Sequence, residues 1–454
     1  MSLQERDKAV IWHPFTAFKY APAPIPIVKG EGVELIDEAG NRYIDAISSW
    51  WVNIHGHAHP YIAKKIYEQA RTLEQVIFAG FTHEPAVQLA ERLLPYLPGH
   101  FSKIFYSDNG STSTEVAIKM ALQYWWNKDK MPDAGFQMPV SGIGYPASGI
   151  RRSASRKKVL AFKDSYHGDT FGAMSVSDRG IFTKAFHEHL FDVVFIDAPL
   201  RENIQASKDI IQQHAGEIAA FIYEPLVQGA GGMKMYEAAL LDELLAFVKS
   251  HEILCIADEV MTGFYRTGKF FASDYTNEKP DIICLSKGLT GGTMALGVTA
   301  VTHKIVDAFV SDDKMKTFFH GHSFTANPLA CTAALASLDL LEKETCLQSI
   351  QHIVELHKQF VTQLTTHDSR LTIKNLRQTG TLLAFEVVQG KDEYLNNISA
   401  TITQKAMQRG VYIRPLGNTL YLMPPYCILS QQLQRVYEVI LLVLKELREV
   451  AARS

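Results

Sequence analysis

Lys287 closes an apolar run, DIICLSK, and is followed by Gly288. An amine at the end of a buried strand loses hydration. Its pKa then falls, and it can attack a carbonyl as a Schiff-base nucleophile. The plainer alternative is a lysine whose ammonium reaches water along its apolar stem. Asp258 lies within a second run, ILCIADEV. A carboxylate buried there needs a partner, either a local cation such as Arg266 or a protonated ring nitrogen. IAAFIYEP delivers Glu224, and KIFYS leads into Asp108-Asn109-Gly110-Ser111-Thr112 and a helical pattern. A helix opening at Gly110 and Ser111 presents N–H groups and a positive dipole end, which suits a phosphate. The same residue types also make an ordinary helix cap. KVLAF leads into Tyr166-His167-Gly168, where Tyr166 can stack on a planar ring. A lysine for an aldehyde, a carboxylate for a ring nitrogen, a phosphate turn and a stacking aromatic together describe one cofactor, pyridoxal 5'-phosphate.

These side chains need a frame that presents several strand ends on one side. The candidate strands are KIFYS (103–107), KVLAF (158–162), DVVFID (192–197), IAAFIYEP (218–225), ILCIADEV (253–260) and DIICLSK (281–287). Their apolar runs do not alternate with polar residues, as expected of strands covered on both faces. Helical stretches separate them, among them 112–126 with Ala117, Met120, Ala121 and Tyr124 on one face. Strand–helix alternation predicts an α/β domain with a mostly parallel sheet, whose ligands bind beyond the carboxyl ends of the strands. Near the start, VELIDEAGNRYIDA reads as a hairpin turning at Ala39-Gly40-Asn41. From about Asn327 the pattern becomes helix, a few strands and a final amphipathic helix. Ser430 is its expected N-cap, and Leu433, Tyr437, Ile440, Leu444 and Leu447 form its stripe. The expected division is 1–55 and 327–454 for a smaller α+β domain and 56–326 for the large one. Residues 131–156, rich in Pro, Gly and Ser, read as a surface loop dispensable for chemistry.

Composition narrows the function classes. The 454 residues are 47% hydrophobic and 20% charged, enough to bury a core, and the net charge of −3 does not suit a nucleic-acid backbone or an anionic membrane. No apolar run approaches the ~18 residues of a membrane span. The start, MSLQERDKAV, carries four charges and no apolar segment, so no secretory signal is expected, and a cytoplasmic enzyme is. The five cysteines form no CxxC pair, which argues against a disulfide framework or structural zinc. Gly263 to Lys269 imitates a phosphate loop, but Phe270 stands where a hydroxyl must hold magnesium. Gly142-Ile-Gly144-Tyr-Pro-Ala147 imitates a dinucleotide fingerprint, but it follows no strand. His55, His57 and His59 alternate, as do His320 and His322, yet no carboxylate or thiolate completes a set, so no metal is expected.

The stretch ADEVMTGFYRTGKFFA followed by PDIICLSKGLTGG resembles the class III pyridoxal-phosphate-dependent aminotransferases. IWHPFTAF, AISSWWVNIHGHAHP, SYHGDTFGAMSVSD, YEPLVQGAGGMKMY, HGHSFTANPLAC and IRPLGNTLYLMPPY resemble one branch more narrowly. That branch converts 8-amino-7-oxononanoate to 7,8-diaminononanoate in biotin synthesis, with S-adenosylmethionine as amino donor. The resemblance runs from about Ile11 to the final helix. It implies fold type I, a large central domain with a smaller one built from both chain ends, and a homodimer with active sites at the interface. It implies that Lys287 carries the cofactor as a Schiff base and shuttles the proton, while Asp258 holds the ring nitrogen. Gly110 and Ser111 would bind the phosphate, and Tyr166 would stack at the ring. Ser323, preceded by His322, would reach the phosphate of the neighbouring subunit's cofactor. Trp50, Gly321 and Arg414 would line the substrate site with Tyr166 and Lys287.

Three positions depart from the pattern. Phe15, in the catalytic surroundings, stands where well-known members carry Tyr, which leaves lysine open as an alternative donor. Tyr265 replaces a Gly of GFGRTG, and the 131–156 loop is longer than usual. Two other readings compete. One is a class III aminotransferase for an ω-amine such as a diamine or 4-aminobutyrate, against which stand the Trp pair and Arg414. The other is a regulatory protein that keeps the fold without turnover, against which stand the intact Lys287 and Asp258.

Overall fold

The computed structural model describes residues 1–128, 156–366, 373–388 and 398–451. The loop expected over 131–156, and with it Gly142–Ala147, lies outside the described residues apart from Arg156. The Arg156 guanidinium donates to the carbonyls of Ala215, Ile218 and His251 and lies over the Trp125 ring.

The chain forms two units. The larger comprises 64–343 and 377–382, and the smaller comprises 1–63, 344–376 and 383–454. The sequence reading put the crossings near 55/56 and 326/327. The helix Pro328–Leu341 belongs with the larger unit, where Arg92 of the helix Glu84–Leu93 pairs with Asp339 at 2.7 Å.

All six apolar runs are strands of one seven-stranded sheet in the larger unit. Its order is Phe101–Ser107, Gly297–Thr302, Ile282–Leu285, Leu254–Asp258, Ile218–Tyr223, Lys158–Phe162, Val193–Ile196. Gly297–Thr302 runs antiparallel to both neighbours, while the pairings among the last five strands are parallel. The six recognised strands therefore point the same way. Ile218–Tyr223, Leu254–Asp258 and Ile282–Leu285 are buried throughout, which explains their unbroken apolar sequences. The helix Gly110–Lys128 covers one face and buries Ala117, Met120, Ala121 and Tyr124 against Ala220, Ile222, Leu254 and Ile256.

In the smaller unit, Glu34–Asp37 and Arg42–Asp45 form the expected hairpin. Asp37 accepts from the amides of Ala39 and Asn41, from the Asn41 side chain and from the Tyr43 hydroxyl. Arg42–Asp45 pairs in parallel with Val411–Tyr412, joining the two ends of the chain in one sheet. The last helix, Ser430–Ala451, buries all five stripe residues. Ser430 is not its N-cap but its first residue, sharing a hydrogen bond with His352 Nε2 at 2.6 Å. The end is closed instead by Gln432, whose side-chain oxygen accepts from Leu429 N at 2.9 Å. Among the described residues, no helix is long and apolar enough to cross a membrane.

Candidate active site

The parallel strands of the larger unit deliver their terminal residues to one edge of the sheet. Asp258 is in register with Cys284, so Lys287 follows three residues later on the neighbouring strand's exit. Lys287 is partly buried and takes a left-handed conformation, with φ 46°. Such backbone in a non-glycine residue costs on the order of 1–3 kcal/mol and persists only where its surroundings enforce it. Here Ser286 Oγ donates to Leu296 O at 2.7 Å, Ser337 Oγ to Gly288 O at 3.3 Å and Thr290 Oγ1 to Met294 O at 2.6 Å. Burial pushes the Lys287 amine down from 10.5 to about 8, against the opposing pull of Asp258 and Glu224 and with a smaller push from Arg266.

Asp258 is buried, and its partner is His167 rather than the local cation Arg266 weighed from the sequence. His167 Nδ1 lies 2.7 Å from Asp258 Oδ2, and Val260 N donates to Oδ1 at 3.1 Å. His167 is itself 3% exposed, takes the Ser177 hydroxyl as acceptor for its backbone N–H, and leaves Nε2 buried without a partner among the described residues. Sequence reasoning gave His167 no role. The available signal was its place beside Tyr166 at a strand exit, in a sheet that also presents a buried Asp.

Tyr166 is fixed at both ends. Its N–H donates to Glu224 Oε2 at 3.2 Å and its hydroxyl to Asp169 Oδ2 at 2.8 Å. Burial and then Asp169 raise its phenol far above the usual value, so it stays protonated. Glu224 also accepts from Gly229 N at 2.9 Å. Burial lifts its carboxyl from 4.5 to about 7, with His167 opposing and Asp258 adding to the rise.

The turn before Gly110–Lys128 serves both readings made of it. Asn109 Oδ1 caps the helix by accepting from Thr112 N at 3.0 Å. The amides of Gly110 and Ser111 have no acceptor among the described residues. The approach is close: a Cβ on Gly110 would stand 2.7 Å from Val260 Cγ1, and one on Gly168 only 2.1 Å from Ser111 Oγ. Gly168 also has φ 129°, which a side chain resists. Ser111 Oγ accepts from Asp169 N at 3.1 Å, so the turn, Tyr166 and Asp258 are linked through short contacts.

Gly321, His322 and Ser323 lie on a separate, largely exposed segment of the larger unit. Gln75 Nε2 donates to Ser323 O at 2.5 Å, and His322 Nδ1 accepts from Phe324 N. A Cβ on Gly321 would meet nothing nearer than Thr325 Oγ1 at 3.8 Å, so packing within the chain does not require the glycine.

In the smaller unit, Phe15, Trp50 and Arg414 come together. The Arg414 guanidinium lies 4.9 Å from the Trp50 ring centroid, and Phe15 meets the same ring edge-on at 5.5 Å. Trp50 is 42% and Phe15 52% exposed, an uncommon state for large apolar side chains held in a fixed array. Of the alternating histidines, His57 bonds Asp45 at 3.0 Å, and among the described residues no group of three potential ligands assembles.

Comparison with known proteins adds the lineage. The family described as aminotransferase class-III matches residues 15–444. The adenosylmethionine-8-amino-7-oxononanoate aminotransferase of Synechococcus elongatus is 45% identical over 448 residues, 96% of this chain and 99% of that protein. The protein of the same name from Geobacter sulfurreducens is 36% identical over 95% of each chain. The crystal structure of an adenosylmethionine-8-amino-7-oxononanoate aminotransferase from Methanocaldococcus jannaschii superposes with a TM-score of 0.86 at 33% identity, covering 96% of this chain and 98% of that one.

Proposed function

We propose a function from one premise: the chain belongs to the class III aminotransferases. It transfers an amino group to 8-amino-7-oxononanoate, giving 7,8-diaminononanoate for biotin synthesis, with S-adenosylmethionine as donor. The observation that carries this reading is the delivery of Glu224, Asp258 and Lys287 by three adjacent parallel strands to one edge, beside a turn with two available amides. The names of relatives up to 45% identical over nearly the whole chain support the substrate.

The residues fit pyridoxal 5'-phosphate. Gly110 and Gly168 keep the turn clear of side chains, His167 Nε2 is a buried polar atom without a partner among the described residues, and Asp258 is a buried carboxyl group with two described donors. When bound, this cofactor supplies an aldehyde for amines and a ring that accepts the electron pair left when a substrate proton departs. Asp258, kept in orientation by His167, would hold the ring nitrogen. Gly110 and Ser111 would hold the phosphate through backbone N–H groups, and Tyr166 would hold the ring. Lys287 would hold the aldehyde through Nζ and, once a substrate amine has taken its place and freed Nζ, would accept and return a proton there. With a value of about 8 its amine is neutral often enough near pH 7 to do so. His322 and Ser323 serve the neighbouring subunit's phosphate in a cytoplasmic homodimer. Exposed Phe319, Phe324, Ile77 and Phe81 support a surface that another copy covers.

Trp50 forms an apolar wall, and Arg414 ends it with a fork matched to the keto-acid's carboxylate. Gly321, which carries no side chain, also serves the substrate. Phe15 keeps the aromatic surface but lacks a hydroxyl, and this favours lysine as a second candidate donor. Product formation from 8-amino-7-oxononanoate with each donor supplied separately tests both. Activity with lysine and none with S-adenosylmethionine overturns the donor; no product with either overturns the substrate. Size-exclusion chromatography with light scattering tests the dimer.

A further inference from the structure

The backbone carrying Trp50 is held in an unusual shape. Ser48, Ser49 and Trp51 have φ of 53°, 59° and 69°, and Trp50 between them has φ −118° and ψ 56°. None of these residues is glycine, so the shape must be imposed from outside. Two anchors are apparent. Ser48 Oγ donates to Met423 O at 2.7 Å, and Trp51 Nε1 donates to Tyr421 Oη at 2.9 Å. Both side chains are buried, and they fix the two ends of the turn.

The middle is held by a third device. Asp45, fully buried at the end of the strand Arg42–Asp45, accepts at Oδ2 from Ser49 N at 2.5 Å and Ser49 Oγ at 3.1 Å, and at Oδ1 from Ile47 N at 3.2 Å. His57 Nε2 stands 3.0 Å from the same Oδ2. Facing a carboxylate, Nε2 donates, so in the neutral ring Nδ1 is left as acceptor for the Asn53 Nδ2–H at 3.2 Å. Asn53 Nδ2 also donates to Ser49 Oγ at 3.2 Å, closing a ring of bonds around the residue that precedes Trp50. His57 is fixed in turn by its backbone N–H on Gly32 O.

We propose that Asp45 and His57 are positioning residues that set the orientation of Trp50 against Arg414, and through it the fit of the long keto-acid chain. The kinetic half of this proposal rests on the function proposed above; the orientation half does not. A buried carboxylate accepting several hydrogen bonds needs a further donor to complete its shell, and His57 supplies it. Without it, Ser49 loses a fixed acceptor, and Trp50, with 42% of its surface exposed, is free to leave the guanidinium face.

The test uses the full-length enzyme labelled with 5-fluorotryptophan. The chain has five tryptophans, and the Trp50 fluorine resonance is assigned by its loss in Trp50→Phe. In His57→Ala the Trp50 resonance should shift or broaden while the others hold. KM for 8-amino-7-oxononanoate should rise about tenfold with kcat within about threefold of wild type. His57→Gln, whose amide still donates to Asp45, should recover most of both. Asp45→Asn gives the same pattern more weakly and serves if His57→Ala does not fold. A folded His57→Ala with an unmoved Trp50 resonance overturns the proposal. So does a change in which every tryptophan resonance moves and KM does not, since that is general loosening. If the wild-type enzyme does not turn over this keto-acid, the proposed function fails, and the fluorine spectra still decide the orientation.

Discussion

Cofactor uptake by Lys287 should follow a pH curve set by the burial of its amine. Only the neutral amine attacks an aldehyde. With a pKa of about 8, roughly a tenth of the Lys287 amines are neutral at pH 7; at the unperturbed 10.5 the fraction would be about 0.0003, some 300-fold less. The sign follows from the dominant cause: burial penalises the ammonium and lowers the value, and the anions Asp258 and Glu224 only partly restore it. The second-order rate of pyridoxal phosphate uptake by cofactor-free protein should therefore rise about ninefold from pH 6 to 7, about fivefold from pH 7 to 8, and level off above about 9. Stopped-flow absorbance measures it, normalised against a small amine of known pKa to remove the aldehyde's own ionisation. Asp258→Asn removes an anion that favours the ammonium, so its plateau should begin at lower pH. A wild-type rate that keeps climbing tenfold per unit through pH 10 would refute the argument that the amine is desolvated.

Asp258→Asn should also lower turnover by about 100-fold or more while shifting the thermal midpoint by only a few degrees, because the amide can still accept from His167 but cannot hold a protonated ring nitrogen. Near-normal activity would remove Asp258 from the chemistry. Tyr265 has φ 71° where the family pattern carries glycine, and its ring meets Phe270 at 5.0 Å. Tyr265→Gly should be more stable than Tyr265→Ala by about 1 kcal/mol in urea unfolding, since both lose the ring but only glycine relieves the left-handed backbone. The reverse order would show that this backbone is not strained. Arg414→Lys keeps the charge but loses the planar fork. KM for the keto-acid should rise about tenfold, and an unchanged KM would take Arg414 out of carboxylate binding.

The central sheet was legible because its strands are covered on both faces and so spell themselves as apolar runs. The strand that was missed, Gly297–Thr302, reads GVTAVT, whose β-branched residues suit a strand but whose threonines break the unbroken apolar run that marked the others. Thr299 is nevertheless fully buried and donates to Ser113 O at 2.8 Å, a contact that no local pattern announces. The final helix was recognised by its stripe but misread at its cap, because Ser430 is a good cap type and the actual closure comes from Gln432. In the site, Lys287, Asp258 and the Gly110 turn could be read because each follows a strand. His167 also follows a strand, but its role and that of Asp45 lie in partners 91 and 12 residues away, which no local pattern marks. The grouping of Phe15, Trp50 and Arg414 came from resemblance, and the spacing of the three in sequence carries no hint of it.

The pairing of Arg42–Asp45 with Val411–Tyr412 has a consequence for the newborn chain. On the ribosome, the first hairpin emerges with one edge open, and the strand that covers it is made about 370 positions later. At ~5–20 residues per second this edge waits on the order of 20–70 s, with its backbone N–H and C=O groups available to any passing strand. The larger unit's sheet, complete by Thr302, can form during that wait. Truncation before Val411 should therefore leave soluble, folded larger units bearing a sticky N-terminal arm, and chaperone capture in the cell should fall on that arm.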